Sequence, residues 1–164
     1  MRISLIIAGF LAPIRARTMD ETLIKEYFHL QEVVEEFDSK SLTIKAWSVS
    51  LSMTGIGAAY SQDKPIILFF AGISALLFWL IEGLWKTFQY AYYARIKGIE
   101  NHWAGNESEM KPLQIAASWS KSWHEGGVRR LFRILLWPHV FLPHAVVFLS
   151  GVVAYLFKWC ATGV

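Results

Sequence analysis

The sequence predicts an all-α integral membrane protein: a transmembrane helical hairpin plus a third, proline-kinked span, with cytoplasmic amphipathic helices. Three observations predict it. Apolar residues make up 54% of the 164 and charged ones 18%, against ~45–50% and ~25% in an ordinary soluble domain. Residues 66–81 and 140–157 contain no Asp, Glu, Lys or Arg, and about 20 apolar residues cross a bilayer as a helix. Eight Trp, six Tyr and eleven Phe suit the membrane–water boundary, where amphipathic rings settle. The excess of apolar residues is moderate, so some helical surface stays in water. The order read along the chain is an N-terminal extension (1–18), a cytoplasmic amphipathic helix (19–45), a transmembrane hairpin with a cytoplasmic extension (46–98), a cytoplasmic or interfacial helical segment (99–137) and a third transmembrane segment (138–164).

Residues 1–14 have an apolar run too short to span a bilayer and no small-residue cleavage site, so they make a weak signal sequence. Thr18 followed by Asp20 and Glu21 reads as a helix start, a capping hydroxyl with acids at the positive end of the dipole. Met19 can then be the natural start, with residues 1–18 a spurious extension.

In 19–45, Leu23, Tyr27, Leu30, Val34 and Phe37 recur at helical spacing, and Ile24 and Phe28 widen the stripe. Glu26, Glu32, Glu35, Glu36 and Asp38 make the other face acidic. Anionic headgroups repel such a face, so the helix is expected to pack on protein, either within the chain or in a short coiled coil. The first expected span is 42–61, with Lys45 snorkelling to the interface. Ser48, Ser52, Gly55 and Ala59 share one face of it. Small residues let backbones approach closely in lipid, so the stripe reads as a helix-packing seam or as a pore-facing row of hydroxyls from several copies.

The polar turn 61–65 ends on Pro65, suited to the first helical position, and 65–85 is the clearest span. Glu82 is its one acid, a functional candidate by default. Its depth places it at the inner mouth, where Lys86 four residues on offers a partner. The helix is expected to continue to about residue 98, and 99–111 to form a polar break. Pro112 opens a short helix with Trp119 and Trp123, ended by Gly126 and Gly127. Beyond it, Arg129, Arg130 and Arg133 oppose Leu131, Leu135 and Leu136, a basic membrane-surface helix. Pro138 and Pro143 then imply that the last helix is kinked or begins at Pro143.

The turn at 61–65 holds one basic residue and the stretch from Lys86 to Arg133 holds eight. The positive-inside rule therefore puts the N-terminal helix and the middle segment in the cytoplasm of a multi-pass inner-membrane protein. Histidines 29, 102, 124, 139 and 144 form no zinc motif, with His139 and His144 read as interfacial, and Cys160 is the lone cysteine. No nucleophile elbow, phosphate loop or dinucleotide fingerprint occurs. The expectation is a non-enzyme without cofactor, catalytic residues or metal site. Basic residues scattered among aromatics, not clustered in a stripe, lead us to expect no nucleic-acid ligand.

Between residues 19 and 103, an acidic amphipathic helix leads through LTIKAW into a small-residue span, and a tight turn leads to a span ending FWLIEGLW and then QYAYYAR. This order resembles SLATT-like and related multi-span membrane effector domains of prokaryotic defence systems. The resemblance implies a homo-oligomer in the lipid bilayer that forms or gates a pore when a cytoplasmic sensor or regulatory protein triggers it. The alternative is a membrane anchor or scaffold that recruits a cytoplasmic sensor or enzyme.

Overall fold

The computed structural model describes residues 2–106 and 110–162. Among them the chain is helical, with α1 at Arg2–Ser61, α2 at Ile66–Trp103, α3 at Ile115–Leu135 and α4 at Pro138–Thr162. The chain divides into two compact units, residues 1–36 with 89–125 and residues 37–88 with 126–164. Two of the helices are long and apolar enough to cross a membrane, over Ile66–Trp103 and Pro138–Lys158. The expected span 42–61 is the end of α1 but is not among them. Lys45 and its run of serines and threonines lower its hydropathy.

Several boundaries differ from the sequence reading. The expected helix start at Thr18 lies inside α1, where the Thr22 hydroxyl donates to the Thr18 carbonyl at 2.7 Å. Side chains of residues 1–16 lie outside the described residues. The polar break begins later than expected, because α2 runs to Trp103. The break at the glycine pair is present: Gly127 has φ 48° and ψ −158° and interrupts α3, a conformation without cost only for a residue lacking Cβ. Pro143 lies inside α4, which starts at Pro138. A proline in the first two turns removes few ladder bonds, which is why the helix tolerates it.

In the first unit, Leu23, Leu30 and Val34 of α1 are buried against Ile96 and Ile99 of α2, with Tyr27, Tyr92, Tyr93, Met110 and Ile115 packed around them. Each such aliphatic side chain contributes about 1.5–3 kcal/mol by burial. Ile24 and Phe28, expected to widen the stripe, are exposed instead. Glu26, read as part of the acidic surface, is 4% exposed and grips Arg95, itself 5% exposed. Arg95 Nε donates to Glu26 Oε1 at 2.7 Å and Nη2 to Oε2 at 3.1 Å. The backbone N–H of Leu113 donates to Oε2 at 2.7 Å, and Arg95 Nη2 reaches the Lys111 carbonyl at 2.8 Å. One ion pair therefore fixes the segment leading into α3.

In the second unit, small residues bring helices together. A Cβ at Gly55 would lie 3.0 Å from Ala71 Cβ, and one at Gly83 would lie 2.3 Å from Leu135 Cδ2 and 2.8 Å from its Cγ. Gly83→Ala therefore forces Leu135 from its position and is expected to lower stability by about 1–3 kcal/mol. Gly57, with nothing within 4 Å, is the control. Gly57→Ala should leave the thermal midpoint of the detergent-purified chain unchanged or raise it, and equal effects at both positions would show that α2 does not pack this way.

At the end of α1, Lys158 Nζ donates to the Ala59 carbonyl at 3.0 Å, lies 2.8 Å from Asp63 and sits 5.4 Å over the Tyr60 ring. The hydrogen bond from Lys158, and then its charge, hold the Asp63 carboxyl below its ordinary 3.8. A carboxyl lowered in the folded state stabilises it above the unfolded value, and that contribution fades as pH falls through the folded value. Lys158→Ala is expected to move the Asp63 titration upward toward 3.8, read by carboxyl-carbon NMR. An unmoved titration would mean the pair is not formed.

Candidate functional site

The second unit buries a chain of polar groups that starts on α1, passes through α2 and α4 and returns to α1. Glu82 on α2 is fully buried. Its Oε2 lies 2.8 Å from His144 Nε2 on α4, and its Oε1 lies 2.8 Å from Lys45 Nζ on α1. The Lys45 contact is an ion pair by distance without the alignment of a hydrogen bond, which leaves Oε1 unsatisfied in that sense. His144 is 2% exposed, and its Nδ1 lies 2.8 Å from Ser48 Oγ, also fully buried. Four side chains from three helices thus form one continuous line.

Helical spacing explains why α1 supplies two of them. Lys45 and Ser48 are three residues apart and share a face. The next residues on that face are Ser52, Gly55 and Ala59. Ser52 Oγ donates to the Ala71 carbonyl at 3.2 Å, Gly55 faces Ala71, and Ala59 is fully buried. All four stripe residues therefore face inward within the second unit, against α2 and α4. Their hydroxyls are engaged inside one chain.

The line can be protonated in two ways that satisfy its central ring. A carboxylate facing Nε2 accepts from an Nε2–H. Nδ1 then either accepts from the Ser48 hydroxyl, with the imidazole neutral, or donates to Ser48 Oγ, with the ring cationic. In both states Nε2 keeps its proton, and the variable proton lies between Nδ1 and Ser48 Oγ. The line is poorly arranged for nucleophilic catalysis. Ser48 Oγ is fully buried, and the histidine nitrogen it meets is the one that a catalytic base would turn toward its orienting acid.

Of the residues singled out in the sequence, the structure joins Ser48 to Glu82 through His144. It separates Glu82 from its expected partner: Lys86 instead bonds Asp38 on α1. Glu82 is held laterally by other helices because its side chain points into the unit, toward α1 and α4. Arg129 and Arg133 are exposed on the second half of α3, while Arg130 is half-buried over Gly126. His144 and Lys45 were missed as site residues. His144, expected at the interface, is buried instead. A signal for both existed: a lone acid in an apolar span needs buried partners, and these are the ionisable groups closest to the interior of the other two expected spans. Among the described residues, no group of three His, Cys, Asp or Glu side chains suits a metal ion. Compared with protein-family models, curated proteins and solved structures, the chain matches none.

Proposed function

We propose that the chain is a three-span inner-membrane protein that works as an oligomeric, non-enzymatic effector, forming or gating an ion-conducting pore. The observation that carries this reading is the Lys45–Glu82–His144–Ser48 line, buried within helices whose outer faces are apolar. On α2, Ile66, Phe69, Phe70, Ile73, Leu76, Leu77, Leu80 and Ile81 are exposed. Apolar outside with ionisable groups inside suits a protein solvated by lipid, and intramembrane ionisable residues mark ion and proton pathways by default. In this reading the conformation described is closed. Opening separates α1 from α2 and α4 and exposes Glu82, His144 and the serines together. The first unit lies in the cytoplasm and receives the trigger. A role in prokaryotic antiviral defence follows from the resemblance at 19–103.

The test is ion flux from liposomes holding the purified full chain, alone and with products of neighbouring genes. The expected result is a triggered flux that His144→Leu or Ser52→Leu reduces more than tenfold while insertion is retained. Liposomes that stay tight under every combination would exclude a pore.

One observation favours the alternative of an anchor that recruits a cytoplasmic partner. In the first unit Ile24, Phe28 and Trp103 are exposed around a groove that Tyr27 and Glu100 also line, and Phe28 is 66% exposed. Tight liposomes, together with a partner released by Phe28→Ser, would establish that reading.

A further inference from the structure

Beyond the break at Gly127, α3 sets two chemistries side by side. Val128 and Phe132 of α3, and Leu136 just past its end, are each more than 60% exposed. Arg129 and Arg133, one turn apart, are exposed as well. Among the described residues neither arginine enters an ion pair. An apolar groove of about 520 Å3 lies between Ile73, Leu76 and Leu80 of α2 and Phe132, Leu135 and Leu136, with Phe132 the residue before Arg133. The three α2 residues span roughly 10 Å along the helix at 1.5 Å per residue. The indole of Trp79 also lines the groove, and its N–H donates to the Leu135 carbonyl at 2.9 Å, pinning the end of α3 against α2.

We infer that this groove and the two arginines bind one anionic phospholipid of the cytoplasmic leaflet. One acyl chain lies along α2 and the phosphate sits between the guanidiniums. The inference rests on the membrane reading above. An apolar slot alone would not distinguish one lipid from another, because the surrounding chains are equally apolar. Selectivity comes from the arginines, whose planar forks match phosphate oxygens, at a leaflet that carries anionic lipid.

Charge argues for lipid over protein as the occupant. The second unit has eight Lys and Arg against three acids, Asp38, Asp63 and Glu82. Each of these acids already holds a cation, Lys86, Lys158 and Lys45 respectively. The same face of a second copy therefore brings no free carboxylate to Arg129 and Arg133.

The test is native mass spectrometry of the full chain released from bilayers of mixed phosphatidylcholine and phosphatidylglycerol. One phosphatidylglycerol per chain should be retained, enriched about tenfold over the bilayer ratio. Arg129→Gln with Arg133→Gln should abolish the enrichment at unchanged helical content. Ile73→Trp, which fills the groove, should reduce retention of either lipid, and millimolar inorganic phosphate should displace nothing. Equal retention of both lipids by the unaltered chain would overturn the inference. So would arginine variants that change the oligomeric state instead of lipid retention, which would make the acidic helix of a second copy the occupant. Carbonate extraction separates the two levels. A chain that leaves the membrane defeats the membrane reading along with the lipid site, whereas one that stays without enrichment defeats the lipid site alone.

Discussion

Glu82→Ala is expected to cost about 3–5 kcal/mol of folding stability, because it leaves a buried histidine and a mostly buried lysine facing an empty site. The structural basis is the 2.8 Å contact that each partner makes with the carboxylate. The cost belongs to the broken pair and not to the presence of charge. Replacing all four members, Lys45→Met and Ser48→Ala with Glu82→Leu and His144→Phe, should recover most of it, since packed apolar side chains of similar volume often match a buried ionic cluster. Unfolding by titration with a denaturing detergent would read both proteins. A single variant within about 1 kcal/mol of the parent would show that Glu82 is not held as described. If the quadruple variant is stable yet conducts no ions, the line serves transport. If it is stable and unchanged in function, the line is structural.

Arg95→Met should show a comparable loss, again about 3–5 kcal/mol, because it strips Glu26 of its partner at 4% exposure. The two variants differ in what moves. In Arg95→Met, the Lys111 carbonyl also loses its donor, and the Leu113 N–H is left on an isolated carboxylate. Amide exchange should therefore accelerate in residues 110–118 before it does in the Leu23–Leu30 stretch of α1. Uniform acceleration would argue against a local clamp. Glu26→Gln, whose single amide oxygen can still accept from Arg95 Nη2 and the Leu113 N–H but whose NH2 then faces Arg95 Nε, should lose less than Glu26→Ala.

The helical class was legible because periodicity and apolar runs are local. So were the turn at 61–65 and the break at Gly127, where proline and glycine set backbone angles directly. The inward stripe was legible as a face, because Ser48, Ser52, Gly55 and Ala59 repeat at helical spacing. The partners of Glu26 and Glu82 were not. Glu82 was read against Lys86 on its own helix, where surface pairs form, and Glu26 as one of an acidic face, whereas burial turns each carboxylate toward a partner 62 and 69 residues away respectively. Glu26 in particular lies among acids that remain exposed, and composition alone does not separate it from Glu32 or Glu35. Helix ends were the least legible feature. The start expected at Thr18 was placed by a capping residue, and no proline or glycine there stops the chain from staying helical on both sides.

The order in which the polar line is assembled bears on biogenesis. Lys45 and Glu82 belong to helices joined by a short turn, but His144 follows Glu82 by 62 residues and Ser48 by 96. A ribosome synthesising this chain completes the hairpin well before α4 exists. In the membrane reading proposed above, the carboxylate has only the lysine beside it during that interval, and an acid toward the end of a span carries part of the about 2.5–3.5 kcal/mol by which one at the centre disfavours translocon insertion. The lysine thus acts as a temporary escort, and the late-arriving histidine completes the core. Shortening the chain before residue 138 should therefore yield a hairpin that inserts but is more readily degraded by membrane quality control.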